Sequence, residues 1–170
     1  MKRARKSIET ITFLPTLEVG KEAIGYWDAS SSRNGTVIAW YTDKDNNDLY
    51  ELNIGGIGEI YANKNSMTAF GNFTNLVNIN FGKYFNTSEV TNMTAMFLNC
   101  ALLESFDIEA FNTSNVTNMS RLFSSCKKIT SLDLSSWDVS SVTTFGATRG
   151  GGMFQGCSSL VSINLDGWNT

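Results

Sequence analysis

The sequence predicts an α/β fold, a right-handed solenoid of short repeated units behind a β-rich N-terminal cap. Three observations lead to this prediction. The second half of the chain repeats itself at intervals of about 26 residues. Each repeat combines a helix-like and a strand-like spacing of apolar residues. The first half alternates apolar and polar residues around polar turns, and the total of 170 residues suits a single domain.

The repeat is visible by comparing the chain with itself. FNTSEVTNMTAMFLNCALLESFDIEA begins at Phe85, and FNTSNVTNMSRLFSSCKKITSLDLSS begins 26 residues later at Phe111. A third unit begins at Trp137 and carries five extra residues within its glycine-rich loop, 146–152. A weaker unit begins near Phe70, and a fifth begins where the sequence ends. One such unit cannot bury its apolar face alone, so neighbouring units should share a core.

The first half of each unit has the spacing of a short amphipathic helix. The apolar residues of the Phe111 unit lie 3, 3, 1 and 3 positions apart, which places them on one helical face. They are Val116, Met119, Leu122, Phe123 and Cys126. Ser114 precedes this run where a helix N-cap is expected, as Ser88 and Ser140 do in their units. The sequence therefore predicts one helix per unit.

The second half of each unit predicts a short strand. Ile129, Leu132 and Leu134 follow the frame L-x-x-L-x-L, and Trp137 starts the next unit. Parallel strands would then form one side of the coil and helices the other, with right-handed crossovers. We expect a β-rich cap over residues 1–66 and about four leucine-rich-repeat-like coils over 67–170, the last of them incomplete.

The cap contains a predicted β-hairpin. The segment GTVIAWYTDKDNNDLYELNIGG reads as two strands around the polar turn Asp43–Asp48. This turn begins like a calcium-binding loop, but Asp48 stands where glycine is needed and Ile54 stands where the bidentate glutamate is needed. An ordinary polar turn is the better interpretation.

The repeat resembles the BspA-type leucine-rich repeats, which include the 26-residue repeat of bacterial surface proteins. Two units carry the motif, at Thr87, Ser88, Val90, Met93, Met96, Phe97 and Cys100, and at Thr113, Ser114, Val116, Met119, Phe123, Cys126 and Trp137. The resemblance covers about residues 67–170. It implies a secreted or cell-surface protein that adheres to host, matrix or partner-cell proteins, and it implies no catalytic residues. The chain shows no signal peptide or wall anchor, which is a departure from that family.

Composition narrows the possible functions. The formal net charge is −3 and the pI is about 4.9, whereas nucleic-acid binding needs clustered Lys and Arg. The chain has no histidine, so the usual general base and the commonest metal ligand are missing. No run of residues is long and apolar enough for a membrane span. We expect no enzyme activity, no cofactor, no metal and no nucleic-acid partner.

Two further features have alternative interpretations. The cysteines Cys100, Cys126 and Cys157 share one repeat position, which favours buried free thiols over a metal site or one disulfide between neighbouring units. Arg149 precedes three glycines, but the lysine and serine or threonine of a phosphate-binding loop do not follow them. A flexible loop between units is the better interpretation, and inserted loops often carry function.

The outward positions of the predicted strands form the candidate partner-binding surface. They should align on neighbouring strands about 4.8 Å apart as a polar, acidic and regular face. Its predicted members are Asn80, Ser105, Asp107, Glu109, Ser131, Asp133, Ser135, Asn164 and Asp166, with Arg149 from the inserted loop. A plain solvated sheet face is the alternative. A pair of carboxylates at Asp107 and Asp133 leaves carbohydrate processing as a remote enzymatic interpretation.

The expected function is therefore non-catalytic cell-surface adhesion or protein recognition through the repeat surface. The expected partner is a protein, with a host or cell-surface protein as the leading candidate. The alternative is a structural or display protein of a phage virion or another assembly that carries the same repeat. Because the array lacks an obvious C-terminal cap, self-association through its open end is a further expectation.

Overall fold

The computed structural model describes residues 5–107, 111–146 and 151–168, with only the backbone described at Ser105. Within these ranges the chain forms ten short strands and one 3-10 turn at Arg5–Ser7, and it contains no α-helix. The strands are β1 (Ile8–Leu14), β2 (Gly25–Asp28), β3 (Val37–Thr42), β4 (Tyr50–Gly56), β5 (Ile60–Tyr61), β6 (Asn78–Asn80), β7 (Phe85–Asn86), β8 (Ser105–Phe106), β9 (Ser131–Asp133) and β10 (Ser162–Asn164).

Six strands form the largest sheet, in the order β2-β3-β4-β1-β6-β8. The pairings of β2 with β3 and of β3 with β4 are antiparallel. β3 and β4 form the hairpin around Asp43–Asp48 that the sequence predicted, so that prediction is confirmed. The other pairings are parallel. Strand β1 lies between β4 and β6, so the sheet continues from the N-terminal segment into the repeats. The division at residue 66 stays a prediction.

Two smaller parallel sheets complete the strands. β5 pairs with β7, and β9 pairs with β10. A row of single parallel bridges joins Asn65 to Asn92, Asn92 to Asn118 and Asn118 to Thr144. Each bridge links corresponding positions of successive units. The units that repeat in the sequence therefore lie next to each other and are joined by backbone hydrogen bonds.

The apolar residues of the motif form one continuous core. Val90, Met93, Met96 and Phe97 are completely buried, and their counterparts in the next unit are buried equally. One phenylalanine per unit stacks on the next through Phe70, Phe97, Phe123 and Phe154. Ring centroids in this row are 5.5, 5.6 and 5.8 Å apart, and the planes differ by at most 10°. This aromatic row holds the units together by burial and by stacking.

The predicted helices are absent, because the amides bond between units. In the Phe85 unit, the N–H groups of Met93 and Ala95 donate to the Asn118 and Ser120 carbonyls of the next unit, at 2.9 and 2.8 Å. The N–H groups between these residues close short turns within the unit instead. The Leu98 N–H, for example, donates to the Ala95 carbonyl. An α-helix needs each amide to bond four residues back, so the helix prediction is wrong. The serines predicted as N-caps have no helix to cap.

Two positions in the Phe85 unit and in the Phe111 unit adopt the left-handed conformation. Ala95 and Asn99 have φ angles of 54° and 59°, and the corresponding Arg121 and Ser125 have 56° and 64°. The Asn99 amide then points to the next unit and donates to the Ser124 carbonyl at 2.8 Å. A right-handed helix cannot contain such residues. Each turn nevertheless closes between residues three apart, as Met96 does onto Met93 and Cys100 does onto Phe97, and this span matches the helix-like spacing of the apolar residues.

The predicted α/β leucine-rich-repeat-like right-handed solenoid is therefore wrong. The described residues give an almost entirely β and turn structure with small sheets and no α-helical layer. The strand half of the prediction gave the positions of β8, β9 and β10 correctly. The helical half failed because its apolar period is shared by two different backbone conformations.

Replacing a core residue tests the shared core. Leu132 lies in β9 and is 6% exposed, whereas Val161 is 88% exposed. We expect Leu132→Ala to lower the free energy of unfolding by about 2–5 kcal/mol, because it removes buried methyl groups and leaves a cavity. The matched control Val161→Ala should change it by less than about 0.5 kcal/mol. Chemical denaturation measures both, and equal effects would contradict the described core.

A glycine substitution tests the left-handed turn positions. Ser125 has a φ of 64°, and the corresponding residue of the last unit is already glycine, Gly156 at 75°. Since a side chain in this conformation costs roughly 1–2 kcal/mol, Ser125→Gly should leave stability unchanged or raise it. The neighbouring Ser124→Gly should lower stability by roughly 0.5–1 kcal/mol, because Gly loses more backbone entropy there. Thermal unfolding of both variants gives the comparison, and a larger loss at Ser125 would refute the assignment.

Candidate recognition surface

The predicted outward positions lie on the surface wherever the structure describes them. Asn80, Ser131 and Asp133 are exposed on their strands, while the residues between them, such as Leu132, are buried. Asp107, Ser135 and Asp166 are exposed beside the strands, and Asn164 is half-buried. Glu109 and Arg149 lie outside the described residues. That this surface binds a partner stays a prediction.

The strand register brings some of these residues together. Asp133 of β9 lies directly opposite Asn164 of β10, and Ser131 lies opposite Ser162. In the large sheet, Asn78 of β6 lies opposite Ser105 of β8. We define the strand face as the exposed or half-buried polar residues of β6, β9 and β10, together with those within two residues after β8, β9 and β10.

Asp133 is the best-defined charged group of the strand face. Its Oδ1 accepts hydrogen bonds from the Ser135 hydroxyl at 2.6 Å and from the Ser135 amide at 3.0 Å. These bonds, with a smaller contribution from Asn164, hold the pKa of the Asp133 carboxyl below its ordinary value of 3.8. The carboxylate is therefore ionised at neutral pH, and its orientation is fixed by the turn that ends β9.

Asp107 borders a shallow cleft of about 290 Å³ on the same face. The cleft is lined by Asn78, Ile79, Asn80 and Phe106 as well. It is wide open to solvent, and Asp107 is the one carboxylate among its described lining residues. Asp133, the other member of the carboxylate pair in the remote enzymatic interpretation, does not line this cleft.

Sequence reasoning missed the N-terminal strands that extend this surface. Thr12 of β1 lies opposite Asn80, and on its other side it lies opposite Asn53 of β4. Thr10 lies opposite Asn78 and Glu51 in the same way. The alternation of Thr-Ile-Thr-Phe from Thr10 to Phe13 is the signal that could have indicated a strand with one polar side. Its position next to the first repeat, however, depends on pairing across some 70 residues, which no local pattern reports.

The polar residues of the motif mostly connect units to one another. The Thr87 hydroxyl is buried, donates to the Asn112 carbonyl at 3.0 Å and accepts from the Asn112 amide at 2.8 Å. The Thr113 hydroxyl donates to the Asp138 carbonyl in the next unit at 2.9 Å. These groups stabilise the array, since a buried amide without its partner is costly.

The cysteines also connect units. The thiols of Cys100, Cys126 and Cys157 donate to the carbonyls of Phe70, Phe97 and Phe123, each in the preceding unit, at 3.0–3.1 Å. All three are free, and burial raises their pKa values, that of Cys100 to about 12. Such thiols are poor nucleophiles and poor metal ligands. Among the described residues, no cluster of three or more metal-binding side chains is present.

The inserted loop is partly described. Gly146 and Gly152 form an antiparallel bridge at its base, so the extra residues leave and re-enter the unit at one point. Residues 147–150, which include Arg149, lie outside the described ranges. No helix in the described part of the chain has the length and apolar character that crossing a membrane requires.

The fold and surface define a class: a repeat-built β protein whose units are joined by backbone hydrogen bonds and carry polar outward faces. Residues 64–170 match the family described as "Mycoplasma protein of unknown function, DUF285". The chain belongs to this DUF285 family. No curated protein and no solved structure matches the chain.

The resemblance to BspA-type leucine-rich repeats is accordingly wrong as a family assignment. The matching family is a different one, and the described residues lack the helical layer that the leucine-rich-repeat interpretation required. The motif residues that carried the resemblance are real, but they encode turns and contacts between units. The expectation of a cell-surface location rested on that resemblance and stays a prediction.

Removing one hydroxyl tests the geometry around Asp133. We expect Ser135→Ala to raise the pKa of Asp133 towards its ordinary value of 3.8, because the largest stabilising hydrogen bond is lost. Asp138, whose pKa is lowered by Ser140 instead, is the internal control and should not change. Both values come from an NMR titration of side-chain carboxyl carbons. Any stability that the lowered pKa of Asp133 provides is present above about pH 4 and is lost as the pH falls through the folded-state pKa.

Proposed function

We propose that this protein is a non-catalytic recognition module that binds a protein partner through the strand face. The observation that carries the proposal is the alternation of buried apolar and exposed polar residues on strands that run side by side. β6 and β9 expose both of their outer residues and bury the central one. Repeat proteins commonly use such extended regular faces for partners.

The charge of the strand face favours a basic partner. Asp107, Asp133 and Asp166 are exposed on or just after these strands. The described strands β6, β8, β9 and β10 contain neither lysine nor arginine. A field of one sign steers an oppositely charged partner and disfavours a similarly charged one. A lysine- or arginine-rich protein segment therefore fits this face best.

The hydrogen-bonding surface is also pre-organised. The Asp133 side chain is held by Ser135, and the Asn164 side chain accepts the Asp166 amide at 3.0 Å. Side chains fixed in this way lose little conformational entropy when a partner binds. Rigid carboxylates and amides of this kind supply specificity, because they form hydrogen bonds only with a donor in the matching position.

The chemistry of the available side chains also favours binding. Histidine is missing from the whole sequence, which removes the commonest general base. Cys100 and Cys126 are buried with raised pKa values, so neither thiol is a ready nucleophile.

A comparative pull-down tests the proposal. Immobilised wild-type protein and the variant Asp107→Ala/Asp133→Ala are exposed to the same cell extract, and recovered proteins are quantified by mass spectrometry. We expect one or more basic partners to be lost from the variant by about tenfold, because two charges at the centre of the face are removed. The recovered partner is then purified and its affinity measured directly for both proteins.

The control variant Asp45→Ala/Asp48→Asn removes the same charge from the exposed turn between β3 and β4. It should recover the partners at the wild-type level. Equal recovery by all three proteins would remove the strand face from consideration. Equal loss in both variants would show a response to net charge alone and would also contradict the proposal.

A further inference from the structure

The core positions that are buried in the inner units are half-buried or exposed in the last described unit. Leu134 of the Phe111 unit is 0% exposed, whereas its counterpart Leu165 is 42% exposed. Phe123 is also completely buried, whereas its counterpart Phe154 is half-buried. We call the surface that these residues form the end face, and its members are Phe154, Cys157, Leu160, Val161, Ile163, Leu165 and Trp168.

The hydrogen bonds between units also stop at the end face. The Phe123 and Ser125 amides each donate to a carbonyl of the last unit, at 2.9 and 2.7 Å. The corresponding amides of the last unit, those of Phe154 and Gly156, have no acceptor in the part of the chain that the structure describes. The end face therefore presents apolar side chains and free backbone donors, the same combination that joins one unit to the next.

Strand β10 contributes an open edge to the end face. Its one described neighbour is β9, and the Ser162 amide and the Asn164 carbonyl both bond toward β9. Successive residues of a strand direct their N–H and C=O groups to opposite sides. The N–H and C=O of Ile163 therefore point away from β9, to the open edge.

The last unit carries almost no charge. Asp166 is the one charged residue between positions 151 and 168, and Leu160–Leu165 contains none. Strand edges that stay unpaired are usually protected by charged side chains. An uncharged edge that lies beside exposed apolar side chains favours pairing with another strand.

The opposite end of the array is already covered. Gly71 of the first unit holds the position of Leu98 and Ser124, whose carbonyls accept amides from the unit before them. The Gly71 carbonyl accepts the Arg5 guanidinium instead, at 2.7 Å, and β1 and β5 pair with β6 and β7 there. A second copy therefore has no free first unit to place on the end face, which excludes a head-to-tail stack of copies.

We propose that the end face binds the end face of a second copy of this chain, about a two-fold axis beside Ile163. The two β10 strands then run antiparallel, and the N–H and C=O of Ile163 in each copy bond to those of Ile163 in the other. Two residues from the axis, Val161 of one copy lies opposite Leu165 of the other. Ser162 lies opposite Asn164, so apolar residues meet apolar residues and polar residues meet polar ones.

This arrangement ends at two copies, because each end face is used up by the other. Asp166 does not oppose it. The residue lies three positions from the axis in each copy, so the two carboxylates are roughly 20 Å apart at about 3.4 Å per residue. Exposed charges at that distance are largely screened, since the screening length is about 8 Å at physiological ionic strength.

The dimer is independent of partner binding by the strand face. It uses the open edge of β10 and the apolar end of the array, whereas the strand face uses outward polar side chains. The variant Asp107→Ala/Asp133→Ala should therefore dimerise like the wild type. Each proposal can fail without the other.

Analytical ultracentrifugation of the full chain over a dilution series tests the dimer. We expect a species of twice the 18.7 kDa of one chain, which dissociates on dilution. Val161→Asp should raise the dissociation constant about tenfold or more, because it places a charge against Leu165 of the second copy. Val161→Ala keeps this contact apolar and should remain a dimer. Val161 is 88% exposed in the single chain, so neither change should prevent folding.

Ile57→Asp is the matched control, since Ile57 is 80% exposed after β4 and outside the end face. It should dimerise like the wild type, and amide spectra verify that every variant is folded. Hydrogen exchange reports on the pairing itself. The Ile163 amide should be protected in the wild-type dimer and should exchange about tenfold faster in Val161→Asp.

A single-chain mass at every concentration would overturn the proposal. Assemblies that grow beyond two copies would overturn it as well, because the two-fold contact is closed. Equal weakening by Val161→Asp and Ile57→Asp would show an effect of added charge alone and would contradict it. A dimer whose Ile163 amide exchanges freely would exclude the pairing of the β10 strands.

Discussion

Hydrogen bonding between successive units is the constraint on which the rest of the structure depends. Alternate amides in each unit, such as those of Met93 and Ala95, donate to the carbonyls of the next unit. The intervening amides close turns inside the unit. This division satisfies the buried backbone without a helix, and it requires left-handed residues at positions such as Ala95 and Asn99. Each unit therefore needs a neighbour to complete its own backbone bonding.

The motif residues follow from that constraint. Thr87 and Cys100 are buried and bond to main-chain groups of adjoining units, and the stacked phenylalanines fill the space between them. Residues with these structural tasks have little freedom to vary. The outward positions on the strands contribute little to the core, and they are accordingly where this chain can carry specificity.

Much of the strand half was predictable, and the helical half was not. Alternation around Leu132 placed β9 correctly, because a period of two has a single structural meaning there. The spacing of Val116, Met119 and Phe123 has two meanings, since an α-helix and a series of tight turns both return to the same side after three or four residues. The choice between them depended on where the amides bond, and that information lies in the neighbouring unit.

The sequence by itself determined the repeat, its buried set, the hairpin around Asp43–Asp48 and the polar outward positions of the later strands, because each follows from local spacing. Only the tertiary structure decided that β1 lies between β4 and β6, that the repeats contain turns in place of helices, and that β5 pairs with β7 so that Asn86 donates to Glu59. These features depend on hydrogen bonds between residues that are distant in the chain. No spacing within a single unit reports such bonds, since they exist only once the units lie side by side.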